Sequence, residues 1–587
     1  MDLDTTPTTN TLPFRAADFS NLAEALDYAA QGVTGCNFYT GRGQLYAVIS
    51  YERLRQEART LARRFAGMGL ERGARVALVA ETHPDFLRYF FACQYAGLVP
   101  VPLPIPISLG GHQAYVEQLR AMLESCKAAV AIASTGFLPF LREATQSLDL
   151  RFVGNPGQFE RLPESDCPLQ PLQSEELAYI QYTSGSTRFP RGVMITQETV
   201  MSNLAGIIRH GVKMGPGDRC VSWLPFYHDM GFVGLVLVPV TSQVSVDYLG
   251  TRDFAMRPRQ WLNLISRTRA TISFGPPFGY ELVERCLRPE EAARLDLSAW
   301  RVAGVGAEMI RPEPLRRFAE VLAPSGFDPR AFLACYGMAE CSLAISFAPL
   351  SRGLAVDTID ADHLAKYKEA RPVPDGGADK DLSPRTRSFV ICGKPLPDFE
   401  VEIRDEQGRP LGERQSGVIH LRGPSVMSGY FGEPEITRQT LSEDGWLNTG
   451  DVGYRLGEEL VITGRQKDLI IINGRNIWPQ DLEYLAEQQP EVRTGDALAF
   501  SAPGPDGEET TVMVVQCREK DPAVQASLVS RLKQRVRSEL GIDCYVELVP
   551  LHTLPRTSSG KLSRSKARQN FIETHDWHAP SVVAGDN

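Results

Sequence analysis

The chain has 587 residues, more than one hydrophobic core organises, so two or more domains are expected. Its 43% hydrophobic and 23% charged residues describe an ordinary globular protein, and a net charge of −9 argues against a nucleic-acid binder, whose affinity comes from basic surface. The first ten residues lack the basic and apolar regions of a signal peptide. The most apolar stretch, 230–240, is well short of the roughly 18 residues that span a bilayer, so no integral membrane association is expected. Eleven cysteines without a CxxC pair imply neither a metal knuckle nor a disulfide framework, but free thiols, mostly buried, in a reducing cytoplasm.

Short apolar β-branched runs alternate with helical patterns. The first strong helix, 51–70, places Leu54, Ala58, Leu61 and Phe65 on one face. Strands follow at 75–80, 129–134, 177–182, 220–224, 271–274 and 301–305. Such alternation predicts an α/β fold with substantially parallel sheets, here a large N-terminal domain, residues 1–463, of layered sheets and helices. Residues 356–387 break the composition: they are polar, include the run DGGADKDLSPR, and read as a long inserted loop that is either functional or tolerated at the surface. A polar, glycine-led joint at 464–468 marks a hinge between apolar strands. Beyond it a small α+β domain, 469–587, is expected, with a helix from about 479, strands at 497–501 and 512–517, and a helix at 523–540. The tail after residue 570 is expected to be poorly ordered.

The most informative segment is YTSGSTRFPRGV, residues 182–193. An apolar strand leads into Thr183, Ser184, Gly185, Ser186 and Thr187, where small residues let backbone approach a ligand and hydroxyl and N–H donors converge. That is the chemistry of a phosphate cradle. Two cations, Arg188 and Arg191, follow. Downstream stand GVGAE (304–308), YGMAE (336–340), WLNTGD (446–451), GRQKD (464–468) and LPRTSSGKLSR (554–564). In this order the motifs resemble the adenylate-forming superfamily of acyl-CoA synthetases, luciferases and peptide-synthetase adenylation domains, over about residues 22–568.

The resemblance implies an enzyme that activates a carboxylate with ATP and Mg²⁺. It places the triphosphate on residues 183–187 and Arg191. Adenine lies between the segment of Gly306, Ala307 and Glu308 and the wall of Tyr336, Gly337, Met338 and Ala339. Asp451 accepts both ribose hydroxyls, Arg465 binds ribose and phosphate, Glu340 helps hold Mg²⁺, and the small domain turns about Lys467. Lys561 becomes the catalytic lysine, stabilising charge as carboxylate attacks phosphorus, and His228 stands near the acyl carboxylate. Met230, Gly231, Phe274, Gly275 and Phe278 border the acyl pocket. The family usually has glycine at position 188 and lysine at 191; the arginine at 191 keeps the charge and changes its geometry.

Within the superfamily, the run 12–39, PVPLPIP (100–106), YHDMG (227–231), the insert, and SFVICGKPLP (388–397) resemble fatty acyl-AMP ligases. That resemblance implies a fatty-acid substrate and an insert that hinders coenzyme A from receiving the acyl group. It also implies transfer to the phosphopantetheine of an acyl carrier protein acting in trans, often on a polyketide or peptide synthase. A fatty acyl-CoA synthetase and a non-catalytic acyl-adenylate-binding protein are the alternatives.

Overall fold

The structure is a computed structural model that describes residues 4–106, 111–183, 190–373, 385–472, 475–493, 495–504, 508–557 and 561–575. Its largest sheet has nine strands, and six consecutive ones are parallel: Phe332–Gly337, Val302–Val305, Ile272–Gly275, Arg219–Ser222, Ser245–Leu249 and Gly35–Tyr39. Strand Val302–Val305 is buried along its whole length, as expected of a parallel strand covered on both faces. The registers pair Phe274 with Gly304 and Val305 with Ala334, so three strands end at the same edge of the sheet. Ligands of open α/β sheets bind beyond such carboxyl ends.

The expected strands and the 51–70 helix are present within a few residues. The helix runs Tyr51–Ala66, starts at a Ser50 side chain that accepts from the Arg53 N–H, and buries Leu54, Ala58, Leu61 and Phe65. A second sheet, Val99–Leu103, Arg75–Val79, Ala128–Ile132 and Phe152–Gly154, is parallel throughout. The parallel expectation fails elsewhere. Glu400–Arg404, Gly417–Arg422, Leu447–Leu456 and Glu459–Arg465 form an antiparallel sheet, whose last two strands are joined by the two-residue turn 457–458.

Residues 470–571 carry apolar clusters of their own, around Leu482, Leu528 and Leu532 and around Phe500, Leu554 and Phe571. Helices Pro479–Glu487 and Pro522–Leu540 cover strands Ala497–Pro503, Glu509–Gln516 and Tyr545–Val549. Residues 571–574 of the tail are helical, contrary to expectation, and residues 576–587 lie outside the described residues. Helix Arg564–Thr574 continues past residue 570, because Phe571 packs its ring against Phe500 and Tyr545, both 5.8 Å away between centroids.

The polar insert is likewise not a plain loop. Val356–Asp360 pairs antiparallel with Thr386–Val390, and helix Ala361–Tyr367 follows the first strand. Alternate burial of Asp357 and Ile359 gives the strand an inner face that composition hid. All eleven cysteines are free, most of them buried. Among the described residues, no helix is long and apolar enough to cross a membrane.

A buried ion pair fixes the far side of the large sheet. Arg219 donates to both oxygens of Asp247 at 2.6 and 2.9 Å, with side chains 4% and 0% exposed. Asp247 also accepts from Asn37 and Tyr39, and Arg219 donates to the Thr6 carbonyl. The network ties three strands and the N-terminal segment together. Asp247→Ala would strand the guanidinium without its counter-charge, at a cost of about 3–5 kcal/mol. A urea titration should show that loss; an unchanged midpoint would contradict this account of the sheet.

Candidate active site

Beyond the shared strand edge lies a cavity of about 660 Å³, lined from both the large sheet and the C-terminal segment. Its polar half is a set of linked side chains. Tyr336, last but one in its strand, donates its hydroxyl to Asp451 at 2.8 Å. Arg465 donates Nε to the other oxygen of the same carboxylate at 3.0 Å. Asp451 is buried at 7% exposure while Arg465 is half exposed, so the carboxylate is fixed and the cation faces the opening. Proximity to Asp451 raises the pKa of Arg465 further.

Glu340 accepts from the Tyr430 hydroxyl at 2.8 Å. Burial pushes its pKa up, against that hydrogen bond. Arg191 sits 5.5 Å above the Tyr430 ring, which links the cation after the phosphate loop to the carboxylate. Thr183 is held by its N–H to the Arg191 carbonyl and by its hydroxyl to the Arg191 N–H. Ser184, Gly185, Ser186, Thr187 and Arg188 lie outside the described residues.

Close approaches build the wall opposite. A Cβ on Gly304 would lie 2.0 Å from the Phe274 ring, and one on Gly337 would lie 1.9 Å from the Leu343 carbonyl. Only glycine fits either place. Ala307 has φ of +72°, which turns its carbonyl toward the cavity's edge. There Lys561 donates Nζ to the Ala307 carbonyl at 2.6 Å. Burial lowers the Lys561 pKa, and Glu308 and Asp229 oppose that shift. Lys467 lines the cavity, and desolvation there, followed by the neighbouring Arg465 charge, lowers its pKa.

His228 Nδ1 lies 2.6 Å from Asp229 Oδ1. Burial alone would raise the Asp229 pKa, but the His228 imidazole brings it below the ordinary value. The chain then passes through a π-helical turn, Val233–Leu237. Such turns are rare and cluster at functional sites.

The cavity therefore brings together Thr183, Arg191, His228, Met230, Phe274, Ala307, Tyr336, Gly337, Met338, Ala339, Glu340, Arg465, Lys467 and Lys561. Asp451 joins through its two hydrogen bonds. Gly306, Glu308, Gly231, Gly275 and Phe278 do not line it. Gly231 is pressed against the Pro225 carbonyl, Phe278 packs edge-on against Trp223 at 5.8 Å, and Glu308 accepts from the Phe278 N–H. Sequence reasoning missed Tyr430, which stands far from Glu340 in the chain, and Asp229, although it lay within the YHDMG motif. It also missed the deep apolar wall of Ile207, Val212, Met214, Cys220 and Ile272.

Among the described residues, no three His, Cys, Asp or Glu side chains converge to cage a metal. A single buried carboxylate is nevertheless the donor that Mg²⁺ shares with a nucleotide's phosphate oxygens. Glu340 has the chemistry for that.

The AMP-binding enzyme family matches residues 35–431. A Caulobacter vibrioides protein with the provisional name acyl-CoA synthetase is 45% identical over 97% of this chain and 98% of its own length. The medium-chain-fatty-acid–[acyl-carrier-protein] ligase of Moorena producens is 32% identical over 96% and 97%. A solved structure from work on fatty acyl-adenylate ligases of E. coli and L. pneumophila superposes with a TM-score of 0.91 at 47% identity, covering 96% of this chain and 99% of that one. If Gly337 is pinned as its surroundings require, Gly337→Ala should force backbone apart and lower the melting temperature by roughly 1–3 °C, since overpacking costs about 1–3 kcal/mol. An unshifted melt would show the wall to be slack. The chain belongs to the AMP-binding enzyme family of ATP-utilising, adenylate-forming ligases, and within it to the fatty acyl-AMP ligases.

Proposed function

We propose that the protein transfers the AMP moiety of ATP to a fatty acid with release of pyrophosphate, then passes the acyl group to the phosphopantetheine thiol of a carrier protein. In the first step a carboxylate oxygen forms a bond to the α-phosphorus, and the bond from that phosphorus to the pyrophosphate oxygen breaks. In the second the thiol sulfur attacks the acyl carbonyl, loses its proton to solvent, and AMP leaves. The observation that carries the reading is a cavity with the Lys561 ammonium and His228 at its polar end and an arm of apolar side chains beyond.

Each group has a task in that chemistry. The Asp451 carboxylate can take both ribose hydroxyls, since its two oxygens each accept a hydrogen bond. Tyr336 offers a ring face to adenine. Arg191, with residues 183–187, neutralises the triphosphate. Glu340 would hold Mg²⁺ together with the phosphates, and the ion would supply further charge neutralisation there. Lys561 stands where charge grows during attack, and a preorganised cation at that point is worth far more than one in water. His228, oriented by Asp229, presents its other ring nitrogen to the fatty-acid carboxylate.

The preference for a carrier over coenzyme A rests on the insert and the joint at 464–468. Arg387, at the insert's return strand, donates to Asp481 at 3.1 Å and lies 5.6 Å from the Trp478 ring. Trp478 in turn fills the space where a Gly464 side chain would be, 2.4 Å from that Cβ. Helix Ala361–Tyr367 and Arg385 close the same crevice against Ile477 and Leu540. A two-state domain rotation is governed by contacts made in one state only. Those contacts favour the adenylating arrangement over rotation of residues 469–587 about Lys467, which keeps coenzyme A from the adenylate.

Lys561→Ala should cut acyl-AMP formation by about 10²–10³ while ATP affinity changes little. Near-normal turnover would remove Lys561 from the mechanism. Asp451→Ala should instead weaken ATP binding by roughly 1–3 kcal/mol, with little effect on the fatty acid. Equal weakening of both would point to a damaged fold. Replacing residues 361–385 by a short turn, together with Arg387→Ala, removes those contacts and should leave adenylation intact while raising acyl-CoA formation about tenfold or more. A folded variant that gains no coenzyme A activity would show that the insert is not the restraint.

A further inference from the structure

The apolar arm of the cavity runs along the large sheet. Phe274 lines it near the end of strand Ile272–Gly275, and Ile272 lines it from the start of the same strand, about 7 Å deeper at the usual strand rise. Cys220, in register with Ile272 on the neighbouring strand, borders the arm at the same depth. Val212 and Met214 also line it, and the Val212 carbonyl is bound by Arg301, which immediately precedes strand Val302–Val305 and so marks the deep, amino end of the sheet. Val212 and Met214 are buried, at 2% and 7% exposure, whereas Lys213 between them faces solvent. The wall here is one strand of chain thick.

That thin wall is clamped. Arg301 donates to the carbonyls of Val212 and Lys213 at 3.0 and 3.2 Å. The same guanidinium pairs with both oxygens of Asp218, and Asp218 accepts the Gly215 N–H at 2.9 Å. One ion pair therefore grips both ends of the turn 212–215. Lys213 is held at φ +49°, a conformation that a non-glycine residue adopts only when its surroundings enforce it. The Met214 N–H donates to the Ile208 carbonyl at 2.9 Å, which fixes the backbone of this residue, and its sulfur lies 3.6 Å from the Ser242 oxygen. Nothing in the adenylation chemistry calls for Arg301, Asp218 or Met214.

We propose that the turn 212–215 is the stopper of the acyl tunnel: Met214 meets the terminal methyl of the chain, and the Arg301–Asp218 pair holds the stopper shut. The proposal rests on the fatty-acid reading of the cavity. Each methylene gains burial until the chain reaches Met214, and one more must then displace a clamped wall. A step of one methylene in such a pocket discriminates by roughly 10–200-fold. Chain length is thus set by residues far from the reacting carboxylate.

The test is ATP–pyrophosphate exchange with straight-chain saturated acids from eight to eighteen carbons, read as kcat/KM against length. Met214→Phe should move the optimum about two carbons shorter, and Met214→Ala about two carbons longer. Arg301→Ala should raise kcat/KM for acids beyond the wild-type optimum roughly tenfold, with the KM for ATP unchanged. Folded Met214 variants that both keep the wild-type optimum overturn the stopper, even if Arg301→Ala fails to fold. Shifted Met214 optima beside a folded Arg301→Ala with an unaltered long-chain limb would keep the stopper and overturn its clamp. Wild-type protein that exchanges with none of the acids would overturn the fatty-acid reading itself.

Discussion

The contact on which the site depends is a single hydrogen bond between two parts of the chain that share no apolar cluster. Lys561 reaches from the C-terminal segment to the Ala307 carbonyl at the end of a central strand. Without that reach the strand edge holds only the polar wall and the apolar arm. The bond is possible because Ala307 takes a left-handed conformation and because Gly304 lets Phe274 lie flat against the strand. A cation drawn out of water at this place is costly unless negative groups are near. Glu308 and Asp229 are those groups, and an arriving nucleotide would add more.

The same contact explains why other bridges matter. Arg311 donates to Glu487 at 2.5 Å and also approaches Glu281 on its own side, and Arg387 meets Asp481. These pairs hold the small unit where Lys561 can act. They are buried or partly buried, so breaking one leaves an unpaired charge, a stiffer penalty than losing a surface pair. On the proposed reading the arrangement that adenylates is thereby favoured, and the acyl group leaves only to a partner that can reach into it.

Much of this was legible in the sequence where the signal is local. The Tyr51–Ala66 helix follows from the spacing of four apolar side chains, and the strand ends follow from glycine-bearing motifs that no larger residue could replace. What escaped has a physical reason in each case. Tyr430 acts on Glu340 through contact across the fold, with no periodicity linking them. The insert's ends are strands because their partners are each other, across a polar stretch that masks alternation. Gly275 and Phe278 belong to an aromatic cluster around Trp223, which apolar composition cannot distinguish from a pocket wall. Met214 and Val212 lie in a turn rich in glycine and charge, and only the fold places them on the cavity.

The most direct test is a single-turnover experiment with wild-type protein, ATP and a fatty acid, chased with either coenzyme A or a holo-carrier protein. Enzyme-bound acyl-adenylate should form stoichiometrically, persist in the presence of coenzyme A, and decay only when the carrier thiol is added. Decay with coenzyme A at a rate comparable to that with the carrier would contradict this reading.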